Sequence, residues 1–140
     1  MLELLVLRII FAGIVGFIIG VMNSKSPSAR MFSMICTGAA LVTIVSIEFF
    51  KTTYYPWMAD PGRISAQIIS ALGFIGTGLI WISEDKQIKG VSNAASLWVT
   101  AILGMLIGAG LQHTSVIGTF IVVIIYWLAN HITICKKKPE

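Results

Sequence analysis

Groups able to do chemistry are few in this chain. Six carboxylates are present, Glu3, Glu48, Asp60, Glu84, Asp85 and Glu140, with two histidines, His113 and His131, and two cysteines, Cys36 and Cys135. Acid–base catalysis needs paired titratable groups held near one reacting atom, but here no two carboxylates share an apolar segment and the histidines fall far apart. No glycine-rich phosphate loop opens a helix. His131 and Cys135 stand four residues apart, half of a metal site at most, and no metal or cofactor is expected. The cysteines sit in different segments and are not expected to bridge. The chain is therefore read as a non-enzyme.

A different kind of site is suggested by charges that lie close to apolar runs. Arg8 falls several residues into the first such run, Glu48 near the end of the second, and Asp60 and Arg63 at the start of the third. A charge at the centre of a bilayer costs about 2.5–3.5 kcal/mol on insertion scales, so groups near that depth pair or snorkel. The expected arrangement is a polar cluster of Arg8, Glu48, Asp60, Arg63 and Gln67, tying the first three segments together. Arg63, Gln67, Ser70 and Thr77 share one helical face, which would carry polarity inward from the cluster. No carboxylate falls at mid-membrane depth, where a cation pathway places one.

The elements that must hold these residues are membrane helices. From Gly90 to Cys135 the chain runs without a charged side chain, too far for one crossing of a hydrocarbon layer roughly 30 Å thick. A turn is expected between Gly108 and Ser115, around Gln112 and His113. Composition agrees, with 56% hydrophobic and 11% charged residues and a mean hydropathy of +0.90, which excludes a soluble surface. The fold class is an all-α integral membrane helical bundle. Its five segments are placed at about 3–22, 31–50, 63–83, 93–110 and 115–135, within a single domain covering 1–140.

Five crossings put the termini on opposite sides. Arg8, Lys51 and Arg63 would share one side, while Lys25, Arg30, Lys86, Lys89 and Lys136 to Lys138 share the other. The richer side is assigned to the cytoplasm, with the N-terminus outside and the C-terminus inside. Tyr54, Tyr55 and Trp57 would form an outer aromatic belt, and Trp81, Trp98 and Trp127 lie toward inner ends. Ser26 before Pro27 and Asp60 before Pro61 read as helix starts. The first segment, with no basic leader, is read as a retained span rather than a signal peptide. No strand-like alternation is found. The net charge of +4 is attributed to lipid headgroups, not nucleic acid.

In lipid, small residues that allow backbones to approach mark helix contacts. Ala12, Gly16 and Gly20 form one stripe; Gly62, Ala66, Ser70, Gly73 and Thr77 form a second; Ser96, Thr100, Gly104 and Gly108 form a third. Tight packing is expected among segments one, three and four. Segment five, with a long run lacking small residues, is expected at the periphery, facing lipid or a partner.

The run from Asp60 to Ser70, followed by Gly73-Phe74-Ile75-Gly76-Thr77-Gly78, resembles the third membrane segment of the MgtC/SapB family. Lys89-Gly90-Val91 and Ala94 to Ala101, then Gly104 and Gly108, resemble its fourth. Arg8, Gly13 to Gly20, Arg30 and Gly38-Ala39-Ala40 extend the similarity. Where the family usually has an acidic-basic pair after the first glycine-rich segment, this chain has Met22 and Asn23. The virulence-associated members carry a C-terminal cytosolic domain after these segments, and here a membrane domain alone is expected. The resemblance implies a bacterial inner-membrane protein tied to adaptation to low magnesium and, in pathogens, to survival in host cells. It further implies a regulator that acts on a membrane complex such as the F-type ATP synthase. The alternative is a small oligomeric transporter or channel for an ion or polar solute, with Arg8, Arg63 and Gln67 at its entrance. The partners expected are the lipid bilayer, another membrane protein and further copies of the chain.

Overall fold

A computed structural model describes residues 2–23, 29–52, 60, 62–110 and 112–136; side chains are described to residue 129. Five helices follow one another: α1 Leu2–Met22, α2 Ala29–Thr52, α3 Gly62–Gly78, α4 Val91–Gly108 and α5 Gln112–Lys136. Between α3 and α4 lies a short antiparallel hairpin, β1 Trp81–Ile82 and β2 Ile88–Lys89. The helices α1, α2 and α4 are long and apolar enough to cross a membrane. Ser26, Pro27, Tyr54, Tyr55, Trp57, Pro61 and Lys137 to Lys138 lie outside the described residues, as do the side chains of His131, Cys135 and Lys136. The cap, belt and tail expectations placed on them lie there too.

The core forms where α1 and α4 both press against α2. Ala12, Val15 and Ile19 from α1 meet Phe32, Cys36, Ala39 and Ala40 from α2, and Leu97, Ala101, Leu103 and Ile107 close it from α4. Glycine makes the approach this close. A Cβ on Gly16 would lie 2.6 Å from the Phe32 carbonyl oxygen and 2.7 Å from the Cys36 side chain. One on Gly108 would lie 2.5 Å from the Ala40 carbonyl oxygen, and one on Gly104 would run into the carbonyl of Cys36. With no hydrophobic effect drawing helices together in lipid, such backbone contact is what holds the bundle. The expected trio of segments one, three and four is thereby corrected. The hub is α2, because its own small residues from Cys36 through Ala39, Ala40 and Thr43 form the surface that the glycine stripes of α1 and α4 fit.

Hydroxyls in this interior are satisfied within the bundle. Thr43 and Thr100 each donate to the carbonyl four residues back, Ala39 at 2.9 Å and Ser96 at 2.8 Å. Ser33 instead crosses between helices, donating to the Gly13 carbonyl at 2.9 Å. Ser33→Ala should loosen α1 from α2 by about 0.6 kcal/mol, the average for interhelical bonds in membranes. Reversible unfolding in mixed micelles measures it.

Segment three ends five residues earlier than expected. The amides of Leu79 and Ile80 donate to the Gly76 and Thr77 carbonyls at 3.1 Å, a tightened final turn, and the chain leaves the helix at Gly78. Trp81 then pairs with Lys89 and Ile82 with Ile88. Ser83 and Gln87 close the loop at 2.9 Å, with Lys86 at φ 57° in its turn. This short hairpin forms where the sequence shows no strand-like alternation. Its two-residue strands lie beyond the apolar runs, where exposed edges can meet water. At the other end, α5 starts at Gln112, so the turn is tighter than the expected Gly108–Ser115 and pivots on Gly110 at φ 78°. Ser115 ties it down by donating to the Leu106 carbonyl at 2.8 Å.

Candidate functional site

The polar residues gather at the end of the bundle that carries the start of α1, the end of α2 and the α4–α5 turn. Arg8 is half-buried there, lying across Gly110; a Cβ on Gly110 would stand 2.5 Å from the guanidinium carbon and both terminal nitrogens. Glycine at that turn suits its left-handed backbone, while a Cβ there would displace only the flexible end of Arg8. Two clefts flank the guanidinium. One, of about 290 Å³, is bounded by Leu5, Ile44, Glu48, Lys51, Gly108 and Ala109. The other, also about 290 Å³, is apolar and lined by Leu4, Leu7, Phe11, Ile107 and Val116. Arg8 thus sits between a charged cleft and a greasy one.

Of the expected cluster, Arg8 and Glu48 share the charged cleft. Glu48 takes its ion pair from Lys51 on its own helix at 2.8 Å, the only salt bridge among the described residues. An exposed i,i+3 pair of this kind contributes about 0.2–0.5 kcal/mol. Lys51 was legible as a partner from its spacing to Glu48. Gly110 was not, because nothing in the sequence places Arg8 above it.

Asp60 and Arg63 do not join them. Asp60 caps α3, its carboxylate accepting the Gly62 amide at 2.8 Å while its carbonyl accepts the Arg63 amide at 3.2 Å. Both residues are exposed, as is Gln67. The five-residue cluster is therefore corrected to two groups, one around Arg8 and Glu48 and one along α3. The reason is that α3 docks through Ser65, Leu72 and Gly76, which turns Arg63 and Gln67 away from α1.

The packing residues divide in the same way. Gly16, Gly20, Gly104, Gly108 and Thr100 lie at the contacts with α2 or inside the core. Ser70, Gly73 and Thr77 are corrected: all three are exposed, and a Cβ on Gly73 would meet nothing within 4 Å. Among the described residues no group of three metal-ligating side chains forms.

The MgtC family model matches residues 9–134. This chain belongs to the MgtC family. It is 33% identical over 133 residues to YhiD of Escherichia coli K12, covering 91% of this chain and 61% of that protein. It is 35% identical over 111 residues to SapB of Bacillus subtilis, covering 76% and 48%, and 32% identical over 120 residues to MgtC of Salmonella typhimurium, covering 84% and 48%. The chain spans about half to three-fifths of the length of these relatives. No solved structure matches it. Family membership and the three long apolar helices make it a membrane protein of a magnesium-related family.

Proposed function

We propose that this MgtC-family chain is a non-enzymatic regulator in the bacterial inner membrane, serving adaptation to low magnesium by binding another membrane complex from the side. The observation that carries the reading is the interior. The helices α1, α2 and α4 meet at backbone contact through Gly16, Gly104 and Gly108, and hydroxyls such as that of Thr100 turn back on their own helix, leaving a closely packed centre. Such a core favours recognition at the outer faces over passage through one chain. The face best suited is that of α5, where Val116, Phe120, Ile121, Ile125 and Leu128 stand exposed along a helix that packs on the rest of the bundle through Val122 and Tyr126. Lysines and arginines counted by side favour an N-terminus outside and a C-terminus in the cytoplasm.

Photo-cross-linkers placed at Ile121 and Ile125 in native membranes test this. The expected product is one heterologous membrane protein of constant mass, with the F-type ATP synthase the first complex to probe. Recovery of lipid alone or of the chain itself from these α5 positions overturns it.

The second reading, an oligomeric transporter or channel, draws on the charged cleft of Arg8, Glu48 and Lys51 and on the relative YhiD, named as a proposed magnesium transporter. Flux in liposomes holding only this protein separates the two. Saturable movement of magnesium or an anion, abolished by Arg8→Ala, would favour transport.

A further inference from the structure

We infer that the outward face of α3 is the contact between two copies of this chain. Gly76 lies against Ala94 near the start of α4, and Ser65 shares a cleft with Met105 and Ala109 near its end, so α3 runs antiparallel along the whole of α4. Ser70 then falls at the middle of that length and Gln67 about one turn nearer the start of α3. Both are exposed, and neither has a hydrogen-bond partner among the described residues. Lipid tails offer an amide nothing to bond, and polar side chains at this depth almost always face protein or a water-filled cavity. No other part of the chain covers this side of α3: Cβ atoms on Gly73 and Gly78 would meet nothing within 4 Å.

The chemistry of the face selects a second copy as its occupant. Copies inserted in the same sense can pair only about an axis along the membrane normal, which brings equal depths together, Gln67 to Gln67 and Ser70 to Ser70. A primary amide both donates and accepts, so two glutamines pair with each other; two lysines or two carboxylates could not. At the start of the helix the same axis sets equal residues at equal depth, and the long Arg63 side chain of each copy can reach the one turn back to Asp60 of the other. Both are exposed, and the unlike charges lie one helical turn apart, so the pairing is complementary in both directions. Phe74, 82% exposed, stands on the same stripe as Gln67 and Ser70, so the two copies would meet there ring against ring, with Gly73 at the edge of the contact. This contact is separate from the α5 face, so either reading can fail while the other stands.

Disulfide cross-linking tests it in the full chain carrying Cys36→Ala and Cys135→Ser, purified into liposomes and also in native membranes. Ser70→Cys should give mostly covalent dimer on oxidation in both, and Ile121→Cys on α5 should give little. Gln67→Leu, a lipid-compatible change on an exposed face, should cut the Ser70→Cys dimer several-fold while elution in detergent stays monodisperse. Arg63→Asp should do the same, and Arg63→Asp combined with Asp60→Lys should restore it. Equal yields from Ser70→Cys and Ile121→Cys would overturn the inference. So would a Ser70→Cys product formed only with a different protein in native membranes, or a dimer indifferent to both Gln67→Leu and Arg63→Asp.

Discussion

Gly104→Val should largely abolish recovery of folded protein. The shortest side chain at this position already drives into the Cys36 carbonyl and lies 3.0 Å from the Ala39 side chain, and neither is the tip of a flexible group that could swing aside. The helix α4 would have to back away from α2, and every contact from Leu97 to Ile107 would open with it. Overpacking a close contact costs about 1–3 kcal/mol per site, and more where backbone must move. In lipid no hydrophobic gain compensates for the separation. Gly104→Ala should be intermediate. Gly73→Ala and Gly38→Ala, where a Cβ meets nothing within 4 Å, should fold like the parent and set the baseline. The measurement is the monodisperse fraction in mild detergent after heating, followed by the denaturant midpoint of whatever survives.

Gly90→Ala should detach the hairpin from the head of α4. Gly90 occupies φ 92°, ψ −13° as the cap of α4, and its open side is filled by the Leu79 carbonyl and, at 3.0 Å, by the ring of Trp81. The left-handed backbone alone costs an alanine about 1–2 kcal/mol, and the collision with Leu79 adds to it. The pairing of Trp81 with Lys89 depends on that junction, so the loss should be local as well as global. Limited trypsin digestion should cut at Lys86 and Lys89 faster than in the parent, and the emission of Trp81 should shift to the red. Lys86→Gly is the opposite case. Lys86 holds φ 57° with a side chain, so relief of that strain offsets the added freedom of the unfolded chain and stability should stay close to the parent.

How far these features were legible depends on the range of the interaction that makes them. The apolar runs and the spacing of Ala12, Gly16 and Gly20 are local properties, and of the two structures a bilayer admits, helix and closed barrel, long uninterrupted apolar runs fit the helix, so the five helices follow from the sequence. The partner of each stripe is a tertiary fact. Nothing in the glycines of α1 and α4 says that both face Cys36, Ala39 and Ala40, because alanine and cysteine are ordinary fillers in any membrane helix. The face of α3 was misassigned for the same reason: Gly73 and Thr77 have the spacing of a contact, yet Leu72 and Gly76 are the residues that dock. The hairpin escaped notice because two-residue strands are too short to show alternation, and Trp81 reads equally as an interfacial anchor. The cluster around Arg8 was half legible. Depth placed Arg8 and Glu48 at one level, but the rotation that turns Arg63 outward is set by how α3 lies on α4.

The hub at α2 has a consequence for how the chain is made. Its small-residue surface has one side covered by α1 as soon as the first two helices leave the ribosome, but the other side waits for α4, which arrives only after α3 and the hairpin. During that interval the Cys36 to Ser46 surface is open to any helix in the membrane that offers a glycine. Biogenesis is therefore the stage at which this protein is most exposed to wrong partners, and slow translation through the hairpin would lengthen the exposure.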